Sequence, residues 1–181
     1  MTTHLQYLYA IGFALIIALA NYTVQFPINE WITYGALMYP LTFLVSDILS
    51  ERYTKEETLK IVRIGVILAI VPTLMVADGR IAFASIVTFF LIQQLDVVIF
   101  HALKARFASL WWLRNNGSTI TSQFFDTSLF FILAFAGTMP TQMLIKLIIG
   151  DYLVKVVLAL LDTPFFYLFA IKFQNRNINH V

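Results

Sequence analysis

The amino-acid sequence predicts an all-α, polytopic membrane protein of one domain, with six transmembrane helices and both termini in the cytoplasm. Three observations carry that expectation. Of 181 residues, 60% are apolar and only 12% charged, with a mean hydropathy of +0.81. Soluble domains run at about 45–50% apolar and about 25% charged, so too few charges exist here to cover a water-soluble globule of this size. Long apolar stretches recur along the whole chain. Lys and Arg collect on one side of the layout those stretches imply. A net charge of +2 and the absence of cysteine argue against a nucleic-acid partner, a disulfide framework, an iron–sulfur cluster or a thiolate zinc site.

A helix crossing a bilayer takes about 20 mostly apolar residues. The first span, 5–26, is uncharged throughout. It is longer than the apolar core of a signal peptide and lacks a basic leader, the first Lys or Arg being Arg52, so it is expected to remain in the mature protein. The second, 31–50, is uncharged from Trp31 to Ser46 and extends through Asp47 to Ser50. The third, 61–77, is the shortest; it is uncharged from Ile64 to Ala77 and reaches back past Arg63. The fourth, 81–103, contains Asp96, and the fifth, 117–139, contains Asp126. The sixth, 150–172, holds Asp151, Lys155 and Asp162.

Local punctuation agrees with this division. Pro27 and Asn29 mark the first turn, Asp78-Gly79 the third, Asn115-Asn116-Gly117 the break before span five, and Gly137 with Pro140 the last turn. Thr141 to Ile149, ended by Gly150 with Asp151 as an N-cap, predicts a short interfacial helix before span six. Pro164 predicts a kink at mid-depth in that span, and Trp111 and Trp112 are expected in an aromatic belt. With the N-terminus inside, the cytoplasmic side receives Arg52, Lys55, Lys60, Arg63, Lys104, Arg106, Arg114, Lys172 and Arg176. The outer loops receive only Arg80, while Lys146 and Lys155 lie in or near span six.

An intramembrane charge costs about 2.5–3.5 kcal/mol on the insertion scale, so Asp96, Asp126, Asp162 and Lys155 must face the bundle interior or a wet cavity. Helical periodicity gathers the polar residues into seams. Thr119, Ser122, Gln123 and Asp126 share a stripe that Asn115 extends. Gln93 and Asp96 share a face, as do Asp151, Lys155 and Asp162. Tyr39, Thr42, Ser46 and Ser50 form a milder stripe flanked by Asp47, and span one offers Asn21 and Gln25. Asp126 and Asp162 fall near the midplane, with Asp96 closer to the cytoplasmic end. The candidate substrate-binding residues are therefore Thr42, Gln93, Asp96, Asn115, Thr119, Gln123, Asp126, Lys155 and Asp162. The blander reading makes Asp151 and Lys155 a self-neutralising i, i+4 pair, or Lys155 a bridge to Asp126 or Asp162. Asp47 reads as an interfacial residue opening the solvated run Glu51-Arg52 to Glu56-Glu57. The histidines His4, His101 and His180 read as bland.

A short internal echo links Gln93-x-x-Asp96 to Gln123-x-x-Asp126, and the segment around Asp126 to that around Asp162. No catalytic constellation is present: no H-E-x-x-H, no G-x-S-x-G and no Gly-rich phosphate loop, hence no ATPase of its own. Asp126 and Asp162 lack the G-x-G-D setting of intramembrane aspartyl enzymes. The chain reads as a non-enzyme with no cofactor and no metal site.

The segment from Met38-Tyr39-Pro40 through Ser46-Asp47 to Glu51 resembles the signature of the vitamin uptake transporter family, whose members include bacterial queuosine-precursor transporters. So do Arg114-Asn115-Asn116-Gly117-Ser118-Thr119 with Ser122-Gln123-Phe124-Phe125-Asp126-Thr127, and Lys155 to Pro164. The resemblance covers spans two to six, and span one carries no motif of the family. It implies a multi-pass protein of the bacterial inner membrane that imports 7-deazaguanine compounds, such as the cyano or aminomethyl precursors of queuosine. The residues are compatible with that. A carboxylate can accept both N–H donors of a guanine-like edge, and Gln93, Gln123 or Asn115 can donate to its carbonyl, with Phe100 or Phe130 available for stacking. The same seam would take a coupling ion, H⁺ or Na⁺, so an ion-coupled carrier of another small heterocycle stays open. So does a substrate-capture subunit of a multi-component transporter. The expected partners are a small-molecule deazapurine, the lipid bilayer, a coupling ion and a second copy in a homo-oligomer, with no nucleic acid.

Overall fold

The structure is a computed structural model, and it describes residues 3–23, 26 and 34–172. Among these, six α-helices form: α1 (Thr3–Thr23), α2 (Tyr34–Arg52), α3 (Lys55–Val76), α4 (Gly79–Arg106), α5 (Trp111–Phe135) and α6 (Thr141–Phe166). A π-helical stretch, Tyr167–Lys172, continues α6. The links 53–54, 77–78, 107–110 and 136–140 are short enough to turn each helix back along its predecessor. Gly137 makes the last turn with φ +81°, a conformation that a side chain would strain. The expected marks Gln25, Pro27, Asn29, Trp31, Arg176 and His180 lie outside the described residues.

Several expected boundaries move, each for a local reason. α3 begins at Lys55, six residues before the expected span, because Thr54 and Glu57 form a capping box: Glu57 N–H donates to Thr54 Oγ1 at 3.3 Å and Thr54 N–H to Glu57 Oε2 at 3.2 Å. α5 begins at Trp111, so Asn115-Asn116-Gly117 lies inside a helix and breaks nothing. Asn116 is satisfied there, donating to the Trp112 carbonyl at 3.0 Å and accepting from Thr163 Oγ1 at 2.9 Å. The expected interfacial helix is likewise absorbed. α6 runs through Gly150, and Asp151 pairs with Lys155 instead of capping. Glycine inside a helix costs only about 1 kcal/mol, which packing readily outweighs. At Pro164 the chain does not break; the turns after it widen into the π-helical stretch. Trp111 stacks on Phe166 with ring centroids 6.3 Å apart, while Trp112 is exposed.

α2 sits at the centre and touches all five other helices. Around it α1 packs on α3, α3 on α4, α4 on α5 and α5 on α6. Gly65 permits the α1–α3 approach, since a Cβ there would lie 2.7 Å from the Phe13 ring and 3.0 Å from the Ala10 carbonyl oxygen. Asn21 ties four helices together: it donates to Thr73 Oγ1 at 2.7 Å and accepts from Tyr39 (3.2 Å) and Ser85 (3.1 Å). Glu51, Arg52, Lys104 and Arg114 meet at one end of the bundle, where Arg52 also donates to the Phe169 carbonyl. Arg80 holds the other end, donating to the Leu133 and Ala136 carbonyls at 3.0 and 2.6 Å.

The bundle is apolar outside and polar within. Leu15, Val71, Met75, Phe83, Leu153 and Leu161 each expose more than half of their surface, whereas Asp47, Asp96, Gln93 and Gln123 are fully buried. Water would favour the reverse; lipid favours this arrangement. Three helical segments are long and apolar enough to cross a membrane, His4–Thr23, Lys55–Val76 and Gly79–Arg106. The polar and charged residues carried by α2, α5 and α6 dilute their hydropathy, and these residues build the interior described next.

Candidate functional site

Along its inner face α2 presents Glu51, then Asp47 and Ser46, then Thr42, then Tyr39, at steps of roughly one helical turn. Each meets a polar partner from α4, α5 or α6, so the interior is a stack of four polar layers.

At the basic end, Glu51 takes the Nε–Nη2 edge of the Arg114 guanidinium: Nε donates to Oε2 at 2.7 Å and Nη2 to Oε1 at 2.8 Å. Lys104 donates to the Ser50 and Glu51 carbonyls at 3.0 and 2.6 Å. The sequence reading of Glu51 as a solvated loop residue is corrected. α2 extends through Arg52, and a partner 63 positions away in α5 covers the carboxylate.

The next layer corrects the reading of Asp47, which is fully buried and not interfacial. It accepts from Thr119 Oγ1 at 3.0 Å and Ser118 Oγ at 3.3 Å. Its carboxyl group also lies beside that of Asp96, which accepts from Ser46 Oγ at 2.8 Å. Sequence reasoning missed Asp47 because it lies beside a charged run. Its place on the Tyr39-Thr42-Ser46-Ser50 stripe was the available signal.

In the third layer Gln93 donates to Thr42 Oγ1 at 2.9 Å, and Thr42 donates to the Tyr39 carbonyl at 2.7 Å. Here the protein leaves hydrogen-bonding capacity unused. Gln93 Oε1, both Nε2 and Oε1 of Gln123, Ser122 Oγ and Asp96 Oδ1 are buried without a partner among the described residues. Such orphans cost about 1–3 kcal/mol each. Five such atoms lie on α4 and α5, two helices that pack on each other.

The fourth layer holds Lys155. Its ammonium bonds Asp151 at 2.9 Å, Thr127 at 3.1 Å and Asp126 at 3.2 Å, and lies 5.1 Å from the centroid of the Tyr39 ring. Thr127 in turn donates to Asp151 at 3.1 Å. Tyr39 packs on Phe89 at 5.2 Å, which gives this level an aromatic wall.

Of the sequence-predicted residues, Thr42, Gln93, Asp96, Thr119, Gln123, Asp126 and Lys155 thus belong to adjoining layers. Two do not join them. Asn115 is buried toward the basic end of α5, and Asp162 is half-buried without a polar partner among the described residues. Asp162 shares a helix face with Lys155. Seven residues at a rise of about 1.5 Å put it some 10 Å further along, beyond ion-pair reach. Phe100 packs edge-on with Phe166 at 6.1 Å and Phe130 edge-on with Phe131 at 5.5 Å.

Chemically, the layers offer hydrogen-bond donors and acceptors, some paired and some not; among the described residues no group of His, Cys, Asp or Glu is suited to a metal ion. The sequence profile of the family described as "Putative vitamin uptake transporter" matches residues 33–78 and 73–169. A Bacillus subtilis protein named "Probable queuosine precursor transporter" is 31% identical over 160 residues, covering 75% of this chain and 70% of its own. "Queuosine precursor transporter" of Escherichia coli is 27% identical, covering 81% of this chain and 77% of its own. A Haemophilus influenzae relative named "Probable queuosine precursor transporter" is 26% identical over the same shares. No solved structure matches the chain significantly. With several helices able to cross a membrane around a polar interior, the chain is a multi-pass membrane transporter, and it belongs to the vitamin uptake transporter family.

Proposed function

We propose that this protein imports 7-deazaguanine precursors of queuosine, such as the 7-cyano or 7-aminomethyl compounds, across a bacterial inner membrane. In this reading all six helices span the bilayer, both termini are cytoplasmic, and the basic end bearing Glu51, Lys104 and Arg114 faces the cytoplasm. The observation that carries the proposal is the set of unpartnered groups on Gln93, Asp96, Ser122 and Gln123. A guanine-like edge offers two adjacent N–H donors and one carbonyl. Asp96 Oδ1 and the Gln93 and Gln123 carbonyls supply acceptors, and Gln123 Nε2 supplies the donor. Asp126, of which Lys155 engages only Oδ2, adds a further acceptor one turn along, and Tyr39 with Phe89 provides an aromatic face. Names of relatives over most of the chain point to the same substrate class.

The test is uptake of labelled 7-cyano-7-deazaguanine by liposomes holding the purified chain alone, with guanine, adenine and an unrelated vitamin as competitors. Saturable uptake blocked by deazaguanines is expected. Adenine should compete poorly, since it presents an acceptor where guanine presents a donor and leaves a buried clash worth about 1–3 kcal/mol. Binding without uptake, converted to uptake only by an added ATP-driven complex, would make the chain a capture subunit. Equal competition by adenine would overturn the substrate assignment.

A further inference from the structure

The mechanism above makes no use of Asp47, although it is fully buried, contacts a second fully buried carboxyl group and lies one turn from the proposed substrate layer. Charged groups around the pair are committed elsewhere. On α2, Glu51 is held by Arg114 of α5 and Lys104 of α4. On α6, Lys155 serves Asp126 and Asp151, and Asp162 makes no ion pair among the described residues. His101 on α4 makes no hydrogen bond to either acid. The ionisable residues of α3, Lys55, Glu56, Glu57, Lys60 and Arg63, and His4 of α1 occupy partly or fully exposed positions, as does Lys172 after α6. Among the described residues, the hydrogen bonds to these acids come from hydroxyl groups, Ser46 to Asp96 and Ser118 and Thr119 to Asp47, and no cation pairs with either. Ser122 Oγ and Asp96 Oδ1 are buried and unpartnered at this contact.

Two carboxyl groups in contact, without a cation and away from water, cannot both carry charge; they hold a proton between them. We infer that the Asp47–Asp96 pair, set between α2, α4 and α5, is the proton-binding site that couples precursor import to the proton gradient, one proton entering with each substrate. The pair is placed for that task. Gln93, one turn from Asp96 on α4, bonds Thr42 of α2, so the α2–α4 contact that holds the proton also borders the substrate. With the proton bound, the two helices close on each other. Once it leaves to the cytoplasm, two like charges separate them. The inference rests on the proposed function and adds its energy source.

The experiment uses the purified chain in liposomes with the membrane potential clamped and labelled 7-cyano-7-deazaguanine outside. With one proton per neutral substrate, a pH lower outside by one unit supports about tenfold accumulation, abolished by a protonophore. Asp47→Asn leaves a neutral amide in place of the shared proton site. It should retain counterflow exchange of labelled for unlabelled precursor while losing the tenfold accumulation. Thr119→Val removes the hydroxyl donor to Asp47 and should move the pH midpoint of uptake upward, a shift that a merely structural hydroxyl would not give. Accumulation by the wild type that ignores the pH gradient, or follows a Na⁺ gradient instead, overturns the inference while leaving the substrate reading intact. So does an Asp47→Asn variant that still accumulates precursor tenfold, or a Thr119→Val variant with an unmoved midpoint. Failure of the underlying reading shows differently, as a wild-type chain that takes up no precursor under any gradient, and it removes both.

Discussion

Lys155 is buried on three acceptors, but those acceptors depend on it unequally. Asp151 also receives Thr127, whereas among the described residues Asp126 Oδ2 has Lys155 alone. Lys155→Ala therefore strands a buried carboxylate, at a cost of about 3–5 kcal/mol. Asp126→Asn leaves the ammonium on Asp151 and Thr127. Thermal unfolding in detergent should rank Lys155→Ala well below Asp126→Asn, and comparable stabilities would show that Lys155 is not the counter-ion of Asp126. The same Asp126→Asn protein should bind labelled precursor about five- to 150-fold more weakly, since an acceptor becomes a donor where the ligand offers N–H. Unchanged affinity in that folded variant would remove Asp126 from the site.

Helices meet through small residues and cross-links that local patterns do not reveal. At Gly65 the α1–α3 contact has no room for a methyl group, while Gly12 on the same α1 has nothing within 4 Å of its would-be Cβ. Gly65→Ala should lower the thermal midpoint, by about 1–3 kcal/mol of overpacking, and Gly12→Ala should leave it unchanged or raise it slightly. Equal effects would contradict the packing described. At this scale the apolar runs and the acid positions were legible in the sequence, because bilayer length and helical period impose them. The breaks were less so. Asn115-Asn116-Gly117 and Gly150 look like stops, yet Asn116 finds Thr163, 47 residues away, and Asp151 finds Thr127. Glu51 and Asp47 sit beside a charged run and read as solvated; Arg114, Ser118 and Thr119, remote in sequence, bury them.

For the whole molecule, the gathering of Arg52, Lys55, Lys104, Arg106 and Arg114 toward one end, against Arg80 at the other, is what supports the proposed orientation in the membrane. A reporter active only in the periplasm, fused after Val181, should stay silent, and a strong signal would reverse the orientation proposed. The inward polar seam was equally readable as a whole, since buried charge in lipid has few places to go. Which residues share a layer was not, because it depends on helix register: Asp162 shares a face with Lys155 and still misses it by length alone.

The central claim is that the bundle keeps unpaired polar groups inside for the sake of its substrate, and Gln123 tests it most directly. Its amide is fully buried and neither end has a partner among the described residues. Gln123→Leu, similar in volume, removes the unpaired groups. Precursor affinity and thermal midpoint should be measured on the same purified sample. The account predicts a midpoint at or above that of the wild type with affinity reduced at least about fivefold. A variant that binds precursor normally, or that loses stability in step with affinity, would contradict it.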